Sequence, residues 1–266
     1  MSVFVITGST QGIGRALAKY CVGQGHDVLI SGRDPTRVEQ IAEALASAGA
    51  GRVLGRAADV SRKADVQALW DSAIAAFGSV DVWINNAGVA NTTRPIVDVA
   101  EGDVANMVST NVLGTIHGAQ VAAAGMKAQR HGRIFNMLGG GSDGEYFPGM
   151  GVYGTTKRGL NYLSDALVKE LKGTPVLVGK VRPGIVITEG MLREVQADPA
   201  NFEKARKMLN ILGDLPDTVA PYLIQKMLAM PKSGGKIAWL NGGKIAGRFL
   251  RARIKPRADL FAAVGV

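Results

Sequence analysis

An apolar run, Val3-Phe4-Val5-Ile6, passes at once into Thr7-Gly8-Ser9-Thr10-Gln11-Gly12-Ile13-Gly14 and then into a helical pattern, which leaves few folds open to this chain. The order is strand, glycine loop, helix. Glycines let the backbone turn tightly and approach a ligand, and the first turn of the helix offers unpaired N–H groups and a positive dipole end to a pyrophosphate. A glycine loop alone is weak, and its place directly after the first strand is what strengthens it. Further short apolar runs at 27–31, 52–58, 80–84, 133–138, 175–181 and 236–240 alternate with helical stretches, among them 35–48, a helix through Phe77 with Ser61 as its N-cap, and 103–126. This rhythm predicts an α/β fold, a doubly wound parallel sheet covered by helices on both faces. At 266 residues and 47% hydrophobic content the chain can bury one sizeable core, so 1–266 is expected to be a single domain.

Chemistry concentrates at the ends of the predicted strands. After 27–31 comes Gly32-Arg33, where a dinucleotide fold meets the adenosine ribose; a guanidinium there can fork onto a 2′-phosphate, which favours NADP over NAD. Asp59, before Ser61, is either a ligand contact or a turn residue. Asn85-Asn86-Ala87-Gly88 closes the fourth strand. Asn111 interrupts a helix in whose interior its side chain competes for backbone groups, so something should need it there. Farther on, Tyr153 and Lys157 stand four apart on one predicted helix, one above the other. A positive charge near a phenol favours the phenolate and lowers a pKa of about 10, which makes the pair a candidate general acid/base. The stretch 185–212 is polar and irregular, and a mobile substrate lid is expected over about 185–215.

Composition narrows the partners. The formal charge is +9 and the pI about 9.8, with eight Lys and Arg and no acidic residue between Lys232 and Arg257. No zinc-finger spacing or aromatic RNA-binding signature accompanies them, so nucleic acid is not an expected partner. Within the basic C-terminal segment, about 232–266, Ile245, Ala246, Phe249, Leu250 and Ile254 recur at roughly helical spacing. That helix either packs on the protein's own core or a second subunit, or lies on an anionic membrane surface. His26, His117 and His131 are scattered and no metal site is readable. Asp143 and Glu145 are expected to be a solvated acidic turn. The single cysteine, Cys21, is expected to be a small buried hydrophobe. With no charged leader and no apolar run of about 18 residues, the chain is expected to be soluble and cytoplasmic, or peripheral to a membrane.

With these pieces in order, the chain closely resembles the short-chain dehydrogenase/reductase family. The loop 7–14, Asn85-Asn86-Ala87-Gly88, Asn111, Tyr153-x-x-x-Lys157 and Pro183-Gly184-x-x-x-Thr188 match that family's motifs in order and approximate spacing. The resemblance implies a Rossmann fold and an NADP(H)-dependent carbonyl reductase. Tyr153 would exchange a proton with the substrate oxygen, Lys157 would lower its pKa and hold the nicotinamide ribose, and Asn111 would support a water chain behind Lys157. Gly8, Ser9, Gln11, Gly12, Ile13 and Gly14 would surround phosphates and ribose, with Arg33 at the adenosine end. Asp59 and Val60 would flank the adenine, Asn86, Ala87 and Gly88 the ribose, and Pro183, Gly184, Ile185 and Thr188 the carboxamide or pyrophosphate. The family's serine, about thirteen residues before the tyrosine, is missing; the neighbourhood reads Leu138-Gly139-Gly140-Gly141-Ser142. Either Ser142 or a backbone amide holds the substrate oxygen, with Ser142 favoured. Residues 82–88, 135–137, 153–157 and 209–220 look like the chlorophyll(ide) b reductase branch, whose members reduce a formyl group on a magnesium porphyrin. A hydrophobic carbonyl substrate and a homodimer or homotetramer follow from the resemblance, and an NADP-binding sensor or scaffold without turnover is the alternative.

Overall fold

The computed structural model describes residues 1–91, 94–255 and 257–262; Pro256 and 263–266, the end of the basic segment, lie outside the described residues. Seven strands form one parallel sheet: β1 (Val3–Ile6), β2 (Asp27–Gly32), β3 (Val53–Ala57), β4 (Val82–Asn85), β5 (Gly132–Met137), β6 (Val176–Arg182) and β9 (Lys236–Ala238), in the order β3-β2-β1-β4-β5-β6-β9. The order reverses between β1 and β4. A crevice opens at such a point, outside the carboxyl ends of the strands.

Side chains alternate across each strand with period two, so the sheet sorts its apolar residues to two faces. Phe4, Ile6, Val28, Ile30, Ile84 and Phe135 face α1 (Gly12–Gly23), α2 (Pro35–Ala48) and α9 (Pro216–Leu228). Val5, Leu29, Trp83, Ile134 and Val178 face α3 (Lys63–Phe77), α5 (Gly114–Gln129) and the flank of α6 (Gly151–Glu170). Burial on both faces is why the inner strands read as continuous apolar runs.

Between α4 (Glu101–Met107) and α5 the chain takes a π-helical segment, Val108–Leu113, with Asn111 fully buried inside it. A wide turn of this kind frees backbone groups from the regular ladder and recurs at functional sites. The expected interruption at Asn111 is therefore a local change of helix type. At α3 the N-cap is Arg62, not Ser61; Ser61 gives its N–H and hydroxyl to Asp59 Oδ1 at 2.9 and 2.7 Å, a turn one residue earlier.

The segment expected to be irregular is built of regular elements. Two short strands, β7 (Ile185–Val186) and β8 (Gly213–Asp214), pair in parallel around α7 (Glu189–Ala197) and α8 (Pro199–Leu212). Its polar surface hides a small core of Ile187, Val195 and Phe202 closed by Phe261, whose ring meets that of Phe202 edge-on at 4.8 Å. The basic segment clasps this unit. Asp214, buried, accepts from Trp239 Nε1 at 2.6 Å, from Arg248 on α10 (Gly242–Ile254) at 2.7 Å and from Arg257 at 3.1 Å. Both arginines also donate to carbonyls at the end of α8. Two of the basic residues are thus tied down by one carboxylate, while Phe249, Leu250 and Ile254 stay exposed.

Candidate active site

Thr7 organises the crevice from the first strand end. Its Oγ1 accepts the N–H groups of Asn86 and Ala87, each at 3.0 Å, and Asn86 Nδ2 returns bonds to the carbonyls of Thr7 and Gly8 at 2.9 Å. This binds loop 7–14 to the loop after β4. A side chain at Gly14 would lie 2.5 Å from the Gly8 carbonyl and from Asn86, so α1 can start this close to the loop only with glycine there. Ser9 is spent on structure: its hydroxyl donates to the Ile6 carbonyl at 2.6 Å and accepts from Ser31 N–H at 2.9 Å, and its own N–H bonds to Ser31. Its expected contact with phosphate or ribose is therefore not open to its hydroxyl.

Gln11 caps α1 without a side-chain hydrogen bond, and Ile13 packs against the core. Gly12 N–H, in the first turn, donates to Glu189 Oε2 at 2.8 Å. Thr188, N-cap of α7, accepts from Met191 N–H and sets its methyl about where a side chain at Gly12 would meet it, 3.3 Å away. Pro183, Gly184 and Ile185 lead from β6 to that point. At the adenosine end Arg33 is exposed beside Asp59; although burial alone raises the Asp59 carboxyl, Ser61, Arg62 and Arg33 hold it low. Val60 is buried.

Tyr153 and Lys157 stand on α6 as expected, with the Lys157 ammonium 5.6 Å from the Tyr153 ring centre and donating to the Met137 carbonyl at 3.0 Å. Gly88 brings the 85–88 loop to the same place: a side chain there would lie 3.3 Å from Asn111 Oδ1 and 3.6 Å from Lys157 Nζ. Asn111 accepts from Val89 N–H at 2.8 Å and donates both amide hydrogens, to the Val89 carbonyl and the Thr156 hydroxyl, at 2.9 and 3.1 Å. It fastens the 85–89 loop to α6. Behind it runs a buried polar chain absent from the sequence expectations: Trp83 Nε1 to Asn85, Asn85 to Asn136, and Asn136 to Ser164. Trp83 and Asn85 lie two apart on β4, but Asn136 is on β5 and Ser164 on α6, so no local pattern could have signalled the whole chain.

The charges differ from the expectation in one direction. Burial first, then the negative Glu194 on α7, pushes the Tyr153 phenol up to about 12, and burial lowers Lys157 to about 8. Both influences on the phenol raise it, so Tyr153 holds its proton at neutral pH and can act as a donor.

Ser142 is fully buried, and its hydroxyl has no hydrogen-bond partner, Tyr153 included. A side chain at Gly139 would lie 2.4 Å from the Tyr153 hydroxyl, which makes Gly139 the residue against the phenol. Ser142 sits on the neighbouring face of α6, its carbonyl held by Arg158 at 3.2 Å and Asn161 at 2.8 Å. Nor is the acidic turn simply solvated. Asp143 pairs with Arg182 and Lys236, and Glu145 with Arg182 at 2.5 Å, which moors residues 139–145 to β6 and β9. Among the described residues no group of three or more His, Cys, Asp or Glu side chains is placed to hold a metal.

The crevice fits a dinucleotide on one specific observation: a carboxylate already takes the amide that a pyrophosphate oxygen would take at Gly12. Comparison with known proteins agrees. The short chain dehydrogenase family profile matches residues 2–199. The chain is 36% identical over 258 residues to probable chlorophyll(ide) b reductase NYC1, chloroplastic, of Arabidopsis thaliana, covering 91% of this chain and 51% of that protein. It is 34% identical over 270 residues to chlorophyll(ide) b reductase NOL, chloroplastic, of Oryza sativa subsp. japonica, covering 97% and 77%. The chain spans about half the length of the NYC1 relatives it matches. Among solved structures, the closed form of a serine dehydrogenase complexed with NADP+ superposes with a TM-score of 0.77 at 25% identity, over 90% of this chain and 94% of that one. The plant relatives are described as chloroplastic, which overturns the expectation of a cytoplasmic protein. The chain belongs to the short-chain dehydrogenase/reductase family of oxidoreductases and, within it, is similar to the chlorophyll(ide) b reductases.

Proposed function

We propose that the protein is an NADPH-dependent reductase that converts a carbonyl or formyl group on a hydrophobic substrate to an alcohol, with a formyl tetrapyrrole of the chlorophyll(ide) b class as the leading substrate. The observation that carries this reading is the meeting of Tyr153, Lys157, Asn111 and Gly88 at one point beside loop 7–14. NADPH, when bound, supplies the hydride. Tyr153, protonated at neutral pH, donates its phenolic proton to the substrate oxygen. Lys157, anchored at Met137, presents its charge to the nicotinamide ribose and to the phenolate that Tyr153 leaves behind. Loop 7–14 and Thr188 receive the pyrophosphate, and Arg33, exposed beyond β2, takes the 2′-phosphate and sets the preference for NADP. With glycine at 139, backbone amides of the glycine turn take the place of a serine hydroxyl at the substrate oxygen. Segment 185–215 serves as the lid.

Tyr153→Phe tests the chemistry. It keeps the ring and removes the transferable proton, so NADPH oxidation with aldehydes, ketones and formyl porphyrins should fall by orders of magnitude while NADPH binding survives. Ser142→Ala should retain turnover, and undiminished turnover in Tyr153→Phe would sink the mechanism. In the same titration NADH should bind more weakly than NADPH; equal affinities would remove the role given to Arg33. The competing reading, a sensor or scaffold that binds NADP(H) without turnover, is favoured by Gly139 alone. Tight binding without oxidation across that panel would select it.

The family is commonly oligomeric, and we extend the proposal to a homodimer or homotetramer joined through the helices that carry Asn111 and Tyr153, where Val108, Leu113 and Tyr162 are exposed. The exposed side of α10 is read as a contact for an anionic membrane surface.

A further inference from the structure

Glu189 is absent from the residues expected to form the cofactor site, yet its carboxylate lies within it. Oε2 accepts the Gly12 N–H at 2.8 Å, and Oε1 is 3.7 Å from the Arg15 guanidinium one turn along α1. Gly12 belongs to the first turn of a twelve-residue helix, where N–H groups have no partner within the helix and the dipole is positive. One N–H cannot serve a carboxylate and a pyrophosphate oxygen together. The two anions also repel, so they exclude each other by charge as well as by geometry.

We propose that Glu189 is a built-in competitor for the cofactor pyrophosphate, latching the start of α7 onto loop 7–14 until the pyrophosphate displaces it. The proposal rests on the reading of that loop as the cofactor site. Its reach extends past one hydrogen bond, because Glu189 opens the helix whose next acidic residue, Glu194, contributes to the potential at Tyr153. Moving α7 off the loop therefore shifts a negative charge relative to the phenol. Cofactor binding and the setting of the proton donor become linked through one short helix.

The effect should be moderate. A charge-assisted hydrogen bond alone would correspond to roughly ten- to a hundredfold in affinity. The Glu189 side chain is 37% exposed and Arg15 is 49% exposed, so water screens the pair and the Gly12 bond carries most of the competition. Removing the carboxylate should then tighten cofactor binding by about three- to tenfold.

Glu189→Ala and Glu189→Gln, compared with the unaltered chain by fluorescence titration and by thermal melting as a check on folding, decide the matter. NADPH and 2′-phospho-ADP-ribose carry the pyrophosphate; adenosine 2′-phosphate does not. The expected result is tighter binding of the first two probes in Glu189→Ala, an intermediate gain in Glu189→Gln, and no change for adenosine 2′-phosphate. Unchanged or weaker NADPH binding in Glu189→Ala would overturn the proposal and make Glu189 a support of the loop. An equal gain for all three probes would also overturn it, since that is a change in overall charge and not local competition. If neither the unaltered chain nor the variants bind any probe, the cofactor reading itself fails and takes this inference with it.

Discussion

Lys157 is the residue whose environment makes the sharpest prediction. Burial favours its neutral form and lowers it to about 8, so the ammonium is present below that pH and lost as pH rises through it. Tyr153, pushed up to about 12, keeps its proton throughout this window and cannot supply the same inflection. Turnover under saturating NADPH should therefore fall above about pH 8 with a single ionisation. Lys157→Arg, whose guanidinium stays charged, should flatten that limb whatever it does to the absolute rate. A profile without an inflection between about pH 7 and 9.5 would remove Lys157's charge from the mechanism. At the same scale the sequence was a good guide to which residues meet. Tyr153, Lys157, Asn111 and Gly88 come together because helix spacing and strand ends are local properties. Ser142 was harder to read, because the place of a turn side chain depends on the helix it packs against. Here the close approach of Tyr153 to Gly139 fills the place that sequence distance assigned to a serine. Ser9 looked like a phosphate contact for a similar reason; that its hydroxyl bridges β1 and β2 depends on a pairing 22 residues away.

Among the elements, the sheet was legible and the segment after it was not. The inner strands, buried on both faces, are apolar throughout, and the alternation of apolar runs with helical stretches predicted all seven, the edge strands β3 and β9 included. Helices α7 and α8 read as irregular because most of their surface is polar and their few core residues are completed by Phe261, some sixty residues downstream of Phe202. The basic segment likewise looked like a solvated or membrane-facing stripe, since nothing near Arg248 or Arg257 announces Asp214. That carboxylate holds the unit together, and its loss should be costly: Asp214→Ala strands two guanidinium groups and the Trp239 N–H near a buried position. Breaking a buried pair costs about 3 kcal/mol or more, and for a domain of this size each kcal/mol lowers Tm by roughly 2 to 4 °C. A thermal melt should move down by about 6 to 12 °C, less if Arg257, one-third exposed, turns to solvent. A shift under about 2 °C would show that the clasp is incidental to stability.

For the whole molecule, two exposed apolar patches point to different partners. Val108, Leu113 and Tyr162 lie on the helices of the active site, whereas Phe249, Leu250 and Ile254 lie on α10 beside Arg251, Arg253 and Lys255. On α10 Ile245 is half-buried while Phe249, Leu250 and Ile254 are exposed, and Arg248 ties the inner side of the helix to Asp214. Among the described residues no helix is long and apolar enough to cross a membrane. An apolar stripe bordered by cations suits an anionic bilayer, where each basic residue near the surface contributes about 1 kcal/mol. It would place residues 185–214, which α10 clasps, at that surface. The chain should co-sediment with vesicles containing a large fraction of anionic lipid at low salt and release at high salt, because screening shortens the reach of these charges. Phe249→Ser with Leu250→Ser leaves the Arg248 clasp intact; it should abolish sedimentation without changing the melt or the mass found by light scattering. If that variant instead becomes a smaller species, α10 is a contact between copies. If the unaltered chain ignores anionic vesicles at low salt, the basic segment acts through its contacts within the chain, to Asp214, to Asp143 and to the end of α8.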